Sequence, residues 1–597
     1  MELHNVKAVI EIDSTPINNY YSVNIIQHFN KHHQFSITLP HEVIEDKGDF
    51  SLKNVKNLIG KVAIIRFQKG AKGSTLNEFK GIVADVSIQQ VNAYHSRIVL
   101  SGYSPTIILD SGPHTTCFVR KDLKKISQEA TKDISGECKV TINPANKKAI
   151  NYLTQYKESN FDFLNRLSSD FGEWFFYNGK EVFFGKPSSF PNVKMIVGED
   201  ITSIKLSLRL LPSSVKSFSY QSKDDQILSG NTPGQINGLT PYGKHALSEA
   251  DKLFTQVTDV VVGPRVETKS ELDNLLKTKK SSVASQFEVI SGTSVNPEIV
   301  PGAVATISIS KLVNDNFSLS EFGKYLITGV THTLAEDGRY SNSFEGVPST
   351  IEVMPVETYR KPGAESQIAV VKDNNDPEKL GRVKVNMLWQ DPNVTTDWIR
   401  IITADGGKGE KKAKNRGFVF IPEIGDQVMV GFRYNDPDRP FVFGSLFHGK
   451  TASGGGKDNK IKTLSTNKGN IITMDDEKGS MMFEDVKGNS ILIDGTGKIN
   501  INCSEQIELK TGDSSITLKK DGTILISGKM KVEVKSDQTV NIDGTNIAVK
   551  AKANLDLAAN ANLSAKATAN LALEGTAMAK FSSAAMAEIT AALVKIN

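Results

Sequence analysis

The stretch Gly444-Ser-Leu-Phe-His-Gly449-Lys450-Thr451 has the glycine, lysine and threonine spacing of a phosphate-binding loop. In such a loop, backbone amides at a helix start cradle the phosphates and the lysine meets their charge. An apolar run at 441–443 supplies the preceding strand, but Ala-Ser-Gly-Gly-Gly-Lys follows where the helix must begin, so no nucleotide chemistry is expected. Two acidic pairs, Asp475-Asp476 and Glu484-Asp485, are the residue type for glycoside acid–base work. Each lies near a turn glycine, Gly479 or Gly488, and reads as a solvated corner. The ten histidines show no metal spacing, and the adjacent His32 and His33 read as a surface turn. There is no Gly-x-Ser-x-Gly nucleophile elbow. Cys117, Cys138 and Cys503 are odd in number and far apart, which disfavours a disulfide framework or thiolate metal site and suits a reducing compartment. The expectation is a non-enzyme with no catalytic, cofactor or metal site.

With chemistry set aside, the elements themselves carry the information. The length of 597 residues suggests about three to five domains. A formal charge of +4 implies no basic field for nucleic acid or an anionic membrane. No cationic leader precedes an apolar run at the N-terminus, and no stretch of about 20 apolar residues could cross a membrane. Export, if it occurs, is expected to bypass the signal-peptide route.

Residues 1–354 read as a mainly β base with helices, either one large globular unit or two similar barrel-like subdomains. Alternation marks strands at 6–12, 61–67, 81–88 and 96–100. A helix is expected over 161–171, with Asn160 as N-cap and Phe163, Leu164, Leu167 and Phe171 on one face. Trp174-Phe-Phe-Tyr177 then meets Asn178-Gly179, a hairpin signal before a strand at 182–184. A second, surface helix is expected from 267 to about 288. Residues 355–366 read as a linker, and 367–450, with about five short strands between turn clusters, as a small closed barrel of the OB type. Its Lys-rich loop 408–414 lacks interleaved aromatics and reads as solvated rather than nucleic-acid binding. A Gly-rich connector spans 451–470.

Residues 471–597 repeat. Apolar pairs at i and i+2 recur: Ile491/Ile493, Ile499/Ile501, Ile507/Leu509, Ile516/Leu518, Ile524/Ile526, Val532/Val534, Val540/Ile542, Ile547/Val549, Leu555/Leu557 and Leu571/Leu573, with Leu563/Ala565 in register. The period is eight residues, with one step of nine and one of seven that cancel. Each octad is a short strand plus a corner, with one apolar face and open edges that a single chain cannot satisfy. Three chains around one axis close it as an intertwined triple-stranded β-helix prism, a rod on the order of 60 Å at ~4.8 Å per layer. From Ala551 onward the composition favours helix by propensity, but the octad persists, and the prism is expected to continue through 577–597.

Several linked blocks then carry a family resemblance. Leu380-Gly-Arg-Val-Lys-Val385 (with Gly381 and Arg382), Asp397-Trp-Ile-Arg400 (with Trp398 and Arg400), Gly417-Phe-Val-Phe-Ile-Pro-Glu-Ile-Gly-Asp-Gln-Val428 (with Pro422 and Gly425), and Asn435-Asp436-Pro437-Asp438-Arg439-Pro440 resemble the barrel signature of VgrG spikes of type VI secretion. Gln155-Tyr-Lys-Glu-Ser-Asn-Phe-Asp-Phe-Leu164 and Tyr340-Ser-Asn-Ser-Phe-Glu345 fit the same family upstream. The resemblance implies a homotrimer built like a phage hub fused to its needle, seated on an Hcp-like tube hexamer and held by baseplate proteins. It also implies a PAAR-type tip protein on the needle and secreted effectors as cargo, with assembly in the cytoplasm before injection. Ending at Asn597, the chain leaves no room for a fused toxin domain on this reading. The spike of an extracellular particle or phage-like tail belongs to the same structural class. A trimeric β-helical depolymerase is the rival from another class, but octads this short are too slim to house its cleft.

Overall fold

Residues 6–46, 50–70, 73–92, 95–313, 316–356, 359, 361–411 and 414–596 are described by the computed structural model of the chain. The first five residues, 357, 358 and 360 of the expected linker, 412 and 413 of the Lys-rich loop, and 597 lie outside the described residues. The chain divides into two units, Met1–Gly454 and Gly455–Asn597.

In the larger unit, alternation becomes strand because every second side chain of a strand shares a face. Along Val6–Ile12 the residues Val6, Ala8, Ile10 and Ile12 are buried and those between them are not. This strand pairs with Val62–Lys69, which pairs with Thr75–Asn92, itself hairpinned to His95–Tyr103. The long strand Asn316–Leu334 pairs with Ser22–His28 and so joins the strands of 6–103 to those of 192–348 in one 13-stranded sheet. The two largest apolar cores gather around Phe67, Phe163, Phe175 and Tyr177, and around Met195, Ile290, Ala305 and Ile327.

Among the described residues there are four α-helices: α1 (Leu123–Ala130), α2 (Asn160–Phe171), α3 (Pro241–Leu253) and α4 (Lys269–Ala284). α2 buries Phe163, Leu164 and Leu167 as expected, with Phe171 only half-buried. Its cap is Ser159 rather than Asn160: the Ser159 hydroxyl accepts the Asp162 amide at 3.1 Å, while Asn160 Oδ1 accepts from Gln155. The hairpin Phe175–Tyr177/Glu181–Phe184 forms as expected, with Gly179 at φ 106°, a conformation side chains disfavour. α4 is shorter than expected, opened by a capping box of Thr268 and Glu271.

The expectation for His33 is overturned. Its ring is wholly buried beside Phe79 and Tyr177, because its backbone is tied to Ser104, whose hydroxyl accepts the His33 amide at 3.0 Å and whose amide donates to the His33 carbonyl at 2.8 Å. Gln27 Nε2 donates to His33 Nδ1 at 3.1 Å, and His33 Nε2 donates to the His28 carbonyl at 3.2 Å. His332 Nε2 donates to Gln27 Oε1 at 3.2 Å, and the Tyr340 hydroxyl donates to His332 Nδ1 at 2.7 Å. Every ring nitrogen is thus satisfied in the neutral form, and burial pushes both imidazoles down to about 3.

Between about pH 3 and 6.5 the unfolded chain binds protons at both rings that the folded chain does not, so stability is complete above pH 6.5 and falls below it. From about pH 8 to about pH 5.5 the expected loss is about 1.4 kcal/mol per ring, near 3 for the pair. Urea midpoints of the full chain across that range check this, with H33Q/H332Q expected to show a flatter profile.

The second part of the larger unit is a barrel. Its four-stranded sheet runs Lys384–Met387, Gln367–Asp373, Gln427–Phe432, Pro440–Ser445. Closure comes from a segment too short to form a regular strand: Ile399 bridges Val383 and Ile401 bridges Val442, one to each edge of the sheet. Val371, Val383, Val385, Val428, Val430 and Val442 fill the interior.

In the smaller unit the octads pair differently from the expectation. Residues 461–527 form antiparallel meanders within the chain, one of five strands from Ile461–Ser465 to Ile499–Asn502, one of three from Gln506–Thr511 to Ile524–Ser527. The first of these strands lies inside the stretch expected to be connector. An alternating octad can pair with its own neighbour or with another chain, and apolar spacing does not choose between them. Beyond Ser527 no strand and no helix forms among the described residues, despite the alanine content. Bends instead recur at 529–530, 537–538, 545–546, 552–553, 560–561, 568–569, 576–577, 584–585 and 592, so the octad runs through 577–596 with its seven-residue step visible after 545.

Candidate functional site: a charged joint and an unpartnered apolar ladder

Within the larger unit, the turn Asn435–Pro440 inserts into the base. Tyr434 and Asn435 take left-handed conformations, at φ 58° and 57°, and Pro437 fixes the following bend. Asp438 Oδ1 then accepts the Thr154 amide at 2.6 Å, and the Pro437 carbonyl accepts the Thr154 hydroxyl at 3.3 Å. Asp438 Oδ2 and Asp436 Oδ1 hold Lys361 Nζ at 2.5 and 2.7 Å. Arg439 pairs with Asp436 at 2.9 Å and donates to the Val262 carbonyl at 2.7 Å. Beneath them Arg166, on α2, binds Glu158 through two hydrogen bonds of 2.7 and 2.9 Å and donates to the Thr154 carbonyl at 2.7 Å.

Burial alone would discharge these groups. For Arg166 and Lys361 it is outweighed, by Glu158 in the first case and by Asp438 and Asp436 in the second, and both pKa values rise above the ordinary. Asp170 is the exception: burial pushes its carboxyl up, against the pull of Arg166 and Lys361. Sequence reading found the barrel side of this joint, touched Glu158 only as part of a family block, and missed Thr154, Arg166 and Lys361. The available signal was Arg166 itself, a cation among the apolar positions of α2.

The other barrel-motif residues do separate work. Arg382 grips Asp376 at 2.9 and 2.8 Å and holds its carboxyl well below the usual carboxylate range; Gly381, at φ 70°, makes the turn between them. The Gly425 amide donates to Val371, and the Pro422 carbonyl accepts from Asn374. Trp398 stacks under Lys384, and Trp398 and Arg400 line a cleft of about 480 Å³ with Tyr220, Arg433 and Pro440.

In the smaller unit the expected prism residues stand on one face of the meanders. Ile491 opposes Ile501 and Ile493 opposes Ile499; Ile507 opposes Leu518 and Leu509 opposes Ile516; Ile516 and Leu518 then oppose Ile526 and Ile524. This ladder is exposed in the single chain: Ile499 is 67%, Ile524 64% and Ile526 60% accessible, and only Ile507 of the set is half-covered. Val532, Val534, Val540, Ile542, Leu555 and Leu557 continue it, all exposed. Among the described residues of this unit only Thr517 is buried, and residues 528–596 make no backbone–backbone hydrogen bond. Water tolerates the polar groups, but an apolar run of this length is far beyond ordinary monomer surface.

Elsewhere the chemical candidates have bland roles. Asp475 and Asp485 cap turns through the amides of Glu477 and Lys478, and of Lys487 and Asn489. Among the described residues no α-helix follows the Gly444–Thr451 match. Among the described residues no group of three His, Cys, Asp or Glu side chains could hold a metal ion, and no helix is long and apolar enough to cross a membrane. Burial pushes the Cys117 and Cys138 thiols up to about 11, which leaves them unreactive.

Two family models match: the phage tail baseplate hub (GPD) over residues 29–338, and the type VI secretion system/phage-baseplate injector OB domain over 367–447. The chain is 26% identical over 264 residues to the type VI secretion system spike protein VgrG1a of Pseudomonas aeruginosa, covering 36% of this chain and 40% of that protein. It is 25% identical over 336 residues to VgrG4b of the same organism, covering 50% of this chain and 39% of that protein. The chain spans about 40% of the length of these curated relatives. Among solved structures, the Francisella PdpA-VgrG complex (lidded) matches with a TM-score of 0.52 at 9% identity, over 83% of this chain and 80% of that one, a likeness of fold.

Proposed function

Because the chain belongs to the phage tail baseplate hub family, among its VgrG spikes, we propose that it is the spike of a contractile injection machine, acting as a homotrimer. The exposed apolar ladder, continued by a backbone without internal partners, carries this reading. Three copies turning their ladders to a common axis bury the apolar face and pair the open backbone in one operation. The closed prism transmits axial force because no edge is left to peel. On this reading sheath contraction drives the trimer into a target envelope.

The same reading assigns the base to an Hcp-like tube hexamer and baseplate proteins, and the needle end to a PAAR-type tip, with effectors as cargo. Assembly is placed in the cytoplasm and exit through the machine itself. The role is structural rather than catalytic, supported by relatives that are spike proteins and by the turn-capping roles of Asp475 and Asp485. Light scattering on the full chain tests it: a mass near three times 65.2 kDa is expected, and a monomer would overturn the proposal.

A further inference from the structure

The cleft bounded by the base strand Val215–Gln221 and the barrel gathers four arginines: Arg265, Arg400, Arg433 and Arg439. Two of them are engaged. Arg439 holds Asp436 and the Val262 carbonyl, and Arg265 approaches Asp397 at 3.8 Å. The acids on the cleft wall are engaged as well, Asp438 with Lys361 and Asp397 with Arg265 and Arg120. Arg400 and Arg433 have no ion pair or side-chain hydrogen bond among the described residues, although Arg433 is half-buried. Burial, then the crowding of Arg439, Arg400 and Arg265, presses the Arg433 pKa below its ordinary value. Arg400 is exposed at the cleft and Arg433 is half-buried in it without a counter-charge, a poor end state for a cation partly removed from water, and their planar forks match a carboxylate.

What lies beside the cleft indicates where that carboxylate comes from. Thr403, on the rim, donates to the Phe418 carbonyl at 2.7 Å, and from there Phe418, Val419 and Phe420 run exposed, joined by Ile402. An apolar strip continuous with an unneutralised cationic cleft has the composition of a protein interface, an apolar centre with arginine anchors. A free phosphate would satisfy the arginines and leave the strip uncovered.

We propose that this cleft is an intersubunit site, in which Arg400 and Arg433 of one protomer clamp a side-chain carboxylate of a second copy while the 418–420 strip packs beside it. The inference rests on the trimer reading and adds a contact in the larger unit to the needle contact. It gives the barrels a fixed angular setting that an axially smooth prism does not provide by itself.

Phenylglyoxal modification of the full-length chain, read by peptide mapping, tests it. Arg339, 86% exposed, serves as reference inside the same molecule. In the trimer, Arg400 and Arg433 are expected to react roughly tenfold more slowly than in the dissociated I524D/I526D chain, as befits guanidiniums buried in an interface. Equal reactivity in the two, fast or slow, overturns the site while a threefold mass leaves the trimer standing. Protection in the trimer that appears only on adding millimolar inorganic phosphate also overturns it, because the cleft would then be open and would take a free anion. If R400E/R433E remains trimeric with an unchanged salt dependence of its mass, the clamp is likewise refuted. A monomeric wild-type chain removes both readings together.

Discussion

Ile524→Asp combined with Ile526→Asp is expected to take the solution mass of the full chain from near three times 65.2 kDa to near 65.2 kDa. The two isoleucines lie on one face, cross-strand from Leu518 and Ile516, and are 64% and 60% exposed in the single chain. Burial of an isoleucine side chain contributes about 1.5–3 kcal/mol, and three copies contribute six such side chains at this level of the prism. The aspartates do more than remove that gain. They bring six carboxylates toward an apolar axis, where each unpaired charge costs several kcal/mol and the six repel one another. Leu525 lies on the opposite face of the same strand, so Leu525→Asp is expected to leave the mass threefold. A threefold mass for the double variant, or a monomer for Leu525→Asp, would show that the wrong face has been assigned to the interior.

Asp438→Ala is expected to destabilise the larger unit by about 3–5 kcal/mol, the range for breaking a buried ion pair from one side. The carboxylate is almost wholly buried and serves the Thr154 amide and Lys361 at once. Its removal strands a buried amide and leaves the Lys361 ammonium with Asp436 alone, close to Arg166. Asp438→Asn can still accept from Thr154 and is expected to lose less. In the double variant D438A/K361A the stranded cation is gone, so part of the loss should return, a coupling that a double-mutant cycle in urea reads directly. A change within about 0.5 kcal/mol for D438A would mean that the joint does not hold the barrel to the base.

What the sequence made legible was governed by periodicity. The strand Val6–Ile12 and the α2 face follow from which side of an element must be dry, the Asn178-Gly179 hairpin follows from its turn residues, and the i, i+2 spacing of the octads gives the strands that form as far as Ser527. What escaped depended on partners. His33 sits in a polar tripeptide, and only the fold could place Phe79 and Tyr177 over it. Ser159 and Asn160 are both good caps, and the choice fell to Gln155, which claims Asn160. Lys361 lies in a linker of unremarkable composition, and its two aspartates are remote in sequence. The amphipathic face of α1, Leu123, Ile126 and Ala130, spans only two turns, and the buried face of α3 is mostly small residues, Gly243, Ala246 and Ala250 beside Leu247, so neither helix announces itself by large apolar side chains. In the meanders, spacing specified the face and left the hydrogen-bonding partner open.

The irregular steps in the octad have a consequence for alignment. A uniform repeat is degenerate: three identical chains slipped by one octad would still match apolar pair to apolar pair. Here the interval from Ile507 to Ile516 is nine residues and that from Val540 to Ile547 is seven, with the shorter one visible as closer-set bends. In the proposed trimer, only with no slippage do the three long corners fall at one level and the three short corners at another. A chain slipped by one octad would set its long corner, and again its short one, beside ordinary eight-residue corners of its neighbours, and the one-residue offset between those two levels turns a strand's apolar face outward. The two steps work like the notches of a key, admitting one axial phase and rejecting the neighbouring ones.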